Sequence, residues 1–180
     1  MGGNKENFIL FGGSSHPTLC QDIAKNTNLH LGECILESFP DRELFVQIIE
    51  NVRGKDIFLV QSIVEDPNTY IMELLIMIDA LKRSSVNSIC VVMPYYGYQR
   101  QDRKDRSRVA ITAKLVANLL ETAGTNRVLT LDLHADQIQG FFDVPLDNLV
   151  ARPALVYAID KYIEDKNRIV MAPDVGSIKM

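Results

Sequence analysis

Short apolar runs and helical stripes alternate along the chain. Phe8-Ile9-Leu10-Phe11 is an unbroken apolar run stopped by Gly12-Gly13, the pattern of a strand buried on both faces. Leu19 to Asn26 follows as a helix, with Pro17 near its start. Glu33 to Phe39 and Leu44 to Ile49 read as two strands joined by the turn Pro40-Asp41-Arg42, and Ile57 to Val60 is another buried run. Between Asn68 and Lys82, Ile71, Leu74, Leu75, Ile78 and Leu81 recur at helical spacing. Ile89 to Met93 predicts a strand, stopped by Pro94. Val109 to Thr122 predicts a helix closed by Gly124, and Arg127 to Leu131 a strand. Arg152 to Ile163 predicts a last helix, and Ile169 to Met171 a last strand before Pro173. This alternation implies βαβ units: an α/β fold with a mainly parallel sheet and helices on both faces. With no repeat, low-complexity tract or linker, residues 1–180 read as a single domain.

In such sheets ligands bind beyond the carboxyl ends of the strands. Those positions hold the most polar segments: Gly12 to His16, Pro94 to Arg108, Asp132 to Asp136, and Pro173 to Gly176. The stretch Arg100 to Arg108 carries five basic and two acidic residues. Arginine forks bind phosphate oxygens bidentately and stack on purine faces. A solvated charged loop is the bland alternative, given less weight here because the loop leaves a buried strand. Asp132 and His134, with Asp136, Asp143 and Asp147 downstream, form an oxygen-rich set with one imidazole. That suits Mg²⁺ or Mn²⁺ carried with a phosphate substrate rather than structural zinc. Against it stands an ordinary loop in which Asp132 caps a helix and His134 is a satisfied loop histidine, the favoured reading for Asp-x-His in isolation. Gly12-Gly13-Ser14-Ser15 offers backbone N–H groups to an anion or is a plain tight turn, with equal weight. Neither a Walker loop nor a Rossmann fingerprint is present. His16 belongs to that turn, and His30 reads as a surface residue.

Composition narrows the function classes. Formal net charge is −4, so the molecule as a whole offers no field for nucleic acid or an anionic membrane, and any anion site is a local patch. The longest apolar run, Ala154 to Ile159, is too short to span a bilayer. The first residues lack a signal-peptide core. Glu6 stands where a myristoylation signal after Gly2 wants Ser or Thr. Cys20, Cys34 and Cys90 are widely spaced without a C-x-x-C pair, and read as reduced core thiols of a cytoplasmic protein.

Taken together, several phrases resemble the ribose-phosphate diphosphokinases, also called phosphoribosyl pyrophosphate synthetases. They are Glu73 to Ala80, Arg100 to Asp105, Ala113 to Leu120, and Asp132 to Ala135 continuing through Gln137 to Asp143. The resemblance runs from Phe8 to about Gly176. It implies a type I phosphoribosyltransferase-like domain in an enzyme, a transferase of nucleotide biosynthesis. That enzyme moves the β,γ-diphosphoryl group of ATP to ribose 5-phosphate, giving phosphoribosyl pyrophosphate and AMP. It also implies Mg²⁺ as cofactor and assembly into homo-oligomers from dimer to hexamer; charge and the short apolar runs already point to no nucleic-acid or membrane partner. By position, Arg100, Gln101, Asp102 and His134 match residues of the ATP site. Phe39, Asp41 and Glu43 match an adenine-binding hairpin given by a neighbouring subunit. Asp132, His134, Asp143, Asp147 and Asp174 match positions associated with the metal, and Arg53 and Arg108 a regulatory phosphate or ADP site.

Three departures accompany the match. Gln99 stands where Ala is usual, Ala110 where Pro is usual, and Ser177 where a second Gly is expected. The resemblance also covers only about the first half of a family member. On this basis the catalytic residues and the ribose 5-phosphate loop are expected beyond Met180, and the second domain is expected to be absent. Two roles follow: the ATP-binding half of a diphosphokinase, expected to be inactive alone, or a non-catalytic nucleotide-binding subunit that regulates or assembles with a complete enzyme.

Overall fold

In a computed structural model, residues 7–163 are described together with Ile169 and Met171. Six strands form one sheet: β1 (Phe8–Gly12), β2 (His30–Leu31), β5 (Asp56–Val60), β6 (Ser88–Met93), β7 (Arg127–Leu131) and β8 (Leu146–Leu149). Their order is β2-β1-β5-β6-β7-β8, and every neighbouring pair is parallel. The remaining strands, β3 (Cys34–Ser38) and β4 (Leu44–Ile48), make a separate antiparallel hairpin. The α/β parallel-sheet fold is thus the observed one. The chain forms one compact unit up to Leu149 and a second from Val150. The second contains α4 (Arg152–Tyr162), none of whose residues is buried. The expected strand Ile169 to Met171 and the candidate Asp174 lie outside the described residues, apart from isolated Ile169 and Met171.

Register explains the unbroken apolar runs. Ile9, Ile57 and Ile89 align across β1, β5 and β6, and so do Phe11, Leu59 and Val91. These side chains face α2 (Pro67–Arg83) and α3 (Thr112–Ala123), whose Leu74, Met77, Ile78, Leu81, Val116 and Leu120 complete the main core. The alternate residues Leu10 and Val60 pack on the other face against Cys20 of α1 (Pro17–Thr27). Strands covered on both faces have no polar alternation.

Local chemistry sets the helix ends. His16 Nδ1 accepts the Leu19 N–H ahead of α1, and Asp66 accepts the Thr69 N–H ahead of α2; each helix opens on a proline. Helix α3 begins at Thr112 rather than Val109, with no side-chain cap at Ile111. The apolar trio Val109-Ala110-Ile111 continues the helical pattern in sequence but stays outside the helix, and two of its residues wall a cavity. Two elements were not foreseen, β2 and β8. Nor was the 3₁₀ helix Asp136–Phe141, which buries Ile138 completely.

Candidate functional site

The loop after β6 is anchored before it reaches its arginines. Tyr96 is fully buried and donates its hydroxyl to the Ala113 carbonyl at 2.6 Å, tying the loop to the first turn of α3. Burial pushes its phenol well above the ordinary range. Gly97 follows because any Cβ there would overlap Ile63. The Gln101 N–H donates to the Tyr98 carbonyl, and the Gln101 carbonyl accepts the Ala113 N–H. Thr112 Oγ1 donates to Gln101 Oε1 at 2.5 Å. Tyr98 and Arg108, both non-glycine, have φ of 61° and 63°. The charged segment is therefore bracketed by two left-handed residues, a conformation that costs such residues of order 1–3 kcal/mol and persists only where surroundings enforce it.

The loop after β7 is fixed donor by donor. The Asp132 N–H bonds the Leu149 carbonyl at 2.9 Å, and Asp132 itself has φ 46°. The Leu133 N–H bonds Asn148 Oδ1 at 3.2 Å, and the His134 N–H bonds Gln99 Oε1 at 2.7 Å. Three successive backbone donors thus have protein acceptors. From the same side Gln137 Nε2 donates to Asp102 Oδ2 at 3.1 Å, giving that buried carboxylate one donor.

Between the two loops lies a cavity of about 430 Å³. Arg100, Gln101, Asp102, Arg103, Arg106 and His134 line it, with Val109 and Ala110 as apolar wall and Asp105 beside Arg106. Asp105 and Arg106 pair at 3.4 Å. Three guanidinium groups against two carboxylates, one of them paired with Arg106, leave this concave surface locally positive on a molecule of net negative charge, suited to a polyanion such as polyphosphate. Arg100, Gln101, Asp102 and His134 were expected from sequence to share a site, and the structure does bring these four together. Arg103 and Arg106 were seen only as part of a charged run. The bridging role of Gln99 was missed; its place as a departure in an otherwise matching phrase was the one available signal.

The remaining candidates lie elsewhere. Phe39, Asp41 and Glu43 occupy the tip of the β3–β4 hairpin and are exposed. There the Phe39 N–H bonds the Glu43 carbonyl, the Glu43 N–H bonds Asp41 Oδ1, and Phe39 stacks tilted on Phe45 at 6.0 Å between centroids. Arg53 lies in the exposed turn after β4 and Arg108 at the far end of the arginine loop; neither lines the cavity.

The proposed metal ligands separate into two groups. Asp132 and His134 share the loop at the carboxyl end of β7. The Asp147 carboxylate is instead paired with Arg127 at the amino end of that strand, at 2.5 Å. Asp143 is drawn the same way, its N–H bonded to Glu121 Oε1 near the end of α3. Three to five residues of strand, about 10–16 Å, divide the groups. Among the described residues, no three His, Cys, Asp or Glu side chains come together to hold a metal ion. Such residues fit a magnesium ion that keeps waters and phosphate oxygens and takes one or two protein ligands, not an all-protein cage.

After β1, the turn Gly13-Ser14-Ser15 does bind an anion, but an internal one. Glu73 of α2 accepts from the Ser14 N–H and hydroxyl, and Gln61 Oε1 accepts the Ser15 N–H. Both Glu73 and Gln61 are buried, and a Cβ at Gly13 would overlap them. This turn serves packing rather than an external phosphate.

Residues 8–124 match the family model described as the N-terminal domain of ribose phosphate pyrophosphokinase. The chain is 51% identical over 177 residues to a ribose-phosphate pyrophosphokinase of Fusobacterium nucleatum, covering 98% of this chain and 56% of the relative. It is 54% identical over 170 residues to that of Bacillus caldolyticus, covering 94% and 53%. Among solved structures, phosphoribosylpyrophosphate synthetase from Mycobacterium smegmatis superposes with a TM-score of 0.84 at 46% identity, covering 87% of this chain and 52% of that one. The chain spans about half the length of the curated relatives it matches.

Proposed function

This chain belongs to the family of ribose phosphate pyrophosphokinase N-terminal domains, and from that premise we propose that its arginine-lined cavity holds the polyphosphate of ATP for diphosphoryl transfer to ribose 5-phosphate. The observation that carries this reading is the convergence of Arg100, Arg103, Arg106 and His134 on one cavity between two strand ends. In the reaction the anomeric oxygen of the ribose attacks the β-phosphorus of ATP. The bond from that phosphorus to the α,β-bridging oxygen breaks, AMP departs, and the anomeric proton passes to solvent or a base. Such chemistry rests on positioning and charge neutralisation more than on a protein nucleophile. Arg100 and its neighbours neutralise and orient the phosphates, and the side-chain N–H of Gln101 donates to a phosphate oxygen. Magnesium, when bound, would be held by Asp132 and His134 and adds charge neutralisation at the phosphate oxygens. Further proposals follow from the resemblance: Phe39, Asp41 and Glu43 meet the adenine of a neighbouring copy in a homo-oligomer, and Arg53 and Arg108 belong to a regulatory anion site. We also assign the protein to the cytoplasm. Among the described residues, no helix is long and apolar enough to cross a membrane.

Titration calorimetry with Mg-ATP tests the assignment. Wild type binds, and Arg100→Ala weakens binding by about 1–3 kcal/mol, the scale of a charge-assisted hydrogen bond. Equal affinity of the two proteins would refute the role of Arg100, and no heat with wild type at millimolar nucleotide would refute the site.

A further inference from the structure

We propose that Gln99 is a positioning residue that sets the cavity geometry by holding the His134 backbone against the arginine loop. Gln99 is 5% exposed, and its side chain leaves the β6 loop to meet the β7 loop 35 residues later. A backbone N–H can only donate, so the group facing His134 is the amide oxygen of Gln99. Arg100, the next residue, and His134 both line the cavity. The Gln99–His134 bond therefore couples the two residue positions from which the site is built. Gln137 reaches back to Asp102, and together the two amides join the loops by two bonds, each donated from the β7 side to an acceptor on the β6 loop. Asn148 and the Leu149 carbonyl hold the two preceding N–H groups, so Gln99 supplies the last of three consecutive restraints on this segment. The segment starts at Asp132 in the left-handed region, which surrounding bonds must enforce. Removing the Gln99 acceptor takes from the His134 N–H its protein partner and releases the loop at its functional end. A hydrogen bond of this kind that pre-organises a binding loop affects affinity by about 3- to 10-fold.

This inference rests on the nucleotide reading of the cavity, so its test has one readout that needs no nucleotide. Amide hydrogen exchange at His134 is followed by NMR in the purified chain, and Mg-ATP affinity by calorimetry. Gln99→Met keeps the shape and removes the acceptor; Gln99→Glu keeps an acceptor oxygen. The His134 amide is expected to be protected in wild type, to exchange at least about tenfold faster in Gln99→Met, and to regain protection in Gln99→Glu. Mg-ATP affinity should fall about 3- to 10-fold in Gln99→Met and recover in Gln99→Glu. An unprotected His134 amide in folded wild type overturns the proposal even if Gln99→Met fails to fold. So does faster exchange in Gln99→Met with unchanged Mg-ATP affinity. Absence of Mg-ATP binding by wild type would defeat the nucleotide reading, and the exchange comparison would still decide whether Gln99 holds His134.

Discussion

The Glu73 carboxylate grips Ser14 twice, accepting its backbone N–H and its hydroxyl at 2.7 Å each. A third donor, Gln61 Nε2, reaches Glu73 Oε1 at 2.8 Å. Glu73 is only 4% exposed. A carboxylate is costly to bury unless donors replace its water, and here they do. The turn after β1 and helix α2, distant in sequence, are thereby fixed to each other beneath the sheet rim.

Replacing Glu73 should destabilise the fold through those donors. Glu73→Leu takes the acceptor from both Ser14 donors and leaves Gln61 Nε2 with only the Tyr70 carbonyl at 3.4 Å, and is expected to cost about 2–3 kcal/mol; Glu73→Gln keeps one acceptor oxygen and costs about 1–2 kcal/mol. Urea titrations at neutral pH measure both. A Glu73→Gln variant as stable as wild type would show that the second carboxylate oxygen contributes nothing.

How far the sequence could be read follows from the kind of force behind each feature. Strands β1, β5 and β6 are buried on both faces and leave continuous apolar runs, so Phe8–Phe11 and Ile57–Val60 were legible. Strand β2 is a two-residue edge, His30–Leu31, and β8 is Leu146-Asp147-Asn148-Leu149, half exposed and built around residues depleted in strands. Neither leaves a periodic trace. The sequence starts helix α3 three residues early because Val109-Ala110-Ile111 extends its apolar stripe, whereas the structure spends the first two on the cavity wall. Arg100 and His134 were legible as neighbours because strand order alone brings two carboxyl-end loops together. Asp143 and Asp147 follow Asp132 closely enough in the chain to look like partners. The 3₁₀ helix and the return to β8 set Asp147 beside Leu129 in mid-strand, turned to Arg127, and Asp143 before it, a reversal that spacing cannot reveal. Bonds such as Gln99 to His134 and Gln137 to Asp102 join side chains 35 residues apart and have no local signature.

Alkaline stability should report on Cys90. Burial raises its thiol from 9.0 to about 11, with Arg127 lowering it less and Asp147 raising it slightly. The folded state therefore holds this proton more tightly than the unfolded state. Its contribution to stability is full below pH 9 and is lost as pH rises through about 11, an effect on the order of 2 kcal/mol. Urea midpoints from about pH 8 to 11 should fall less steeply in Cys90→Ala than in wild type. Parallel slopes would remove Cys90 as a source of the alkaline loss. At about pH 8 the same thiol should react slowly with a disulfide reagent in the native protein and rapidly in urea.

The orientation of Gln101 offers a test of how the arginine loop presents polar groups. Thr112, the first residue of α3, donates its hydroxyl to Gln101 Oε1, which leaves the amide nitrogen of Gln101 as the donor for the cavity. The Gln101 main chain is separately held by Tyr98 and Ala113. Thr112→Val removes the hydroxyl while keeping a β-branched side chain of similar volume, so the backbone anchor stays and only the amide orientation is released. Thr112 is only half-buried, so the variant should fold, with a stability change within about 1 kcal/mol. A freely rotating amide presents oxygen to a phosphate about as readily as nitrogen, and oxygen repels it. Mg-ATP affinity is therefore expected to fall about 2- to 5-fold in Thr112→Val, the effect of less than one neutral hydrogen bond. In Gln101→Glu, where a carboxylate replaces the donor, it should fall further. If Thr112→Val binds as tightly as wild type while Gln101→Glu is impaired, the Thr112 bond does not orient the amide. If both bind normally, Gln101 makes no contact with the nucleotide.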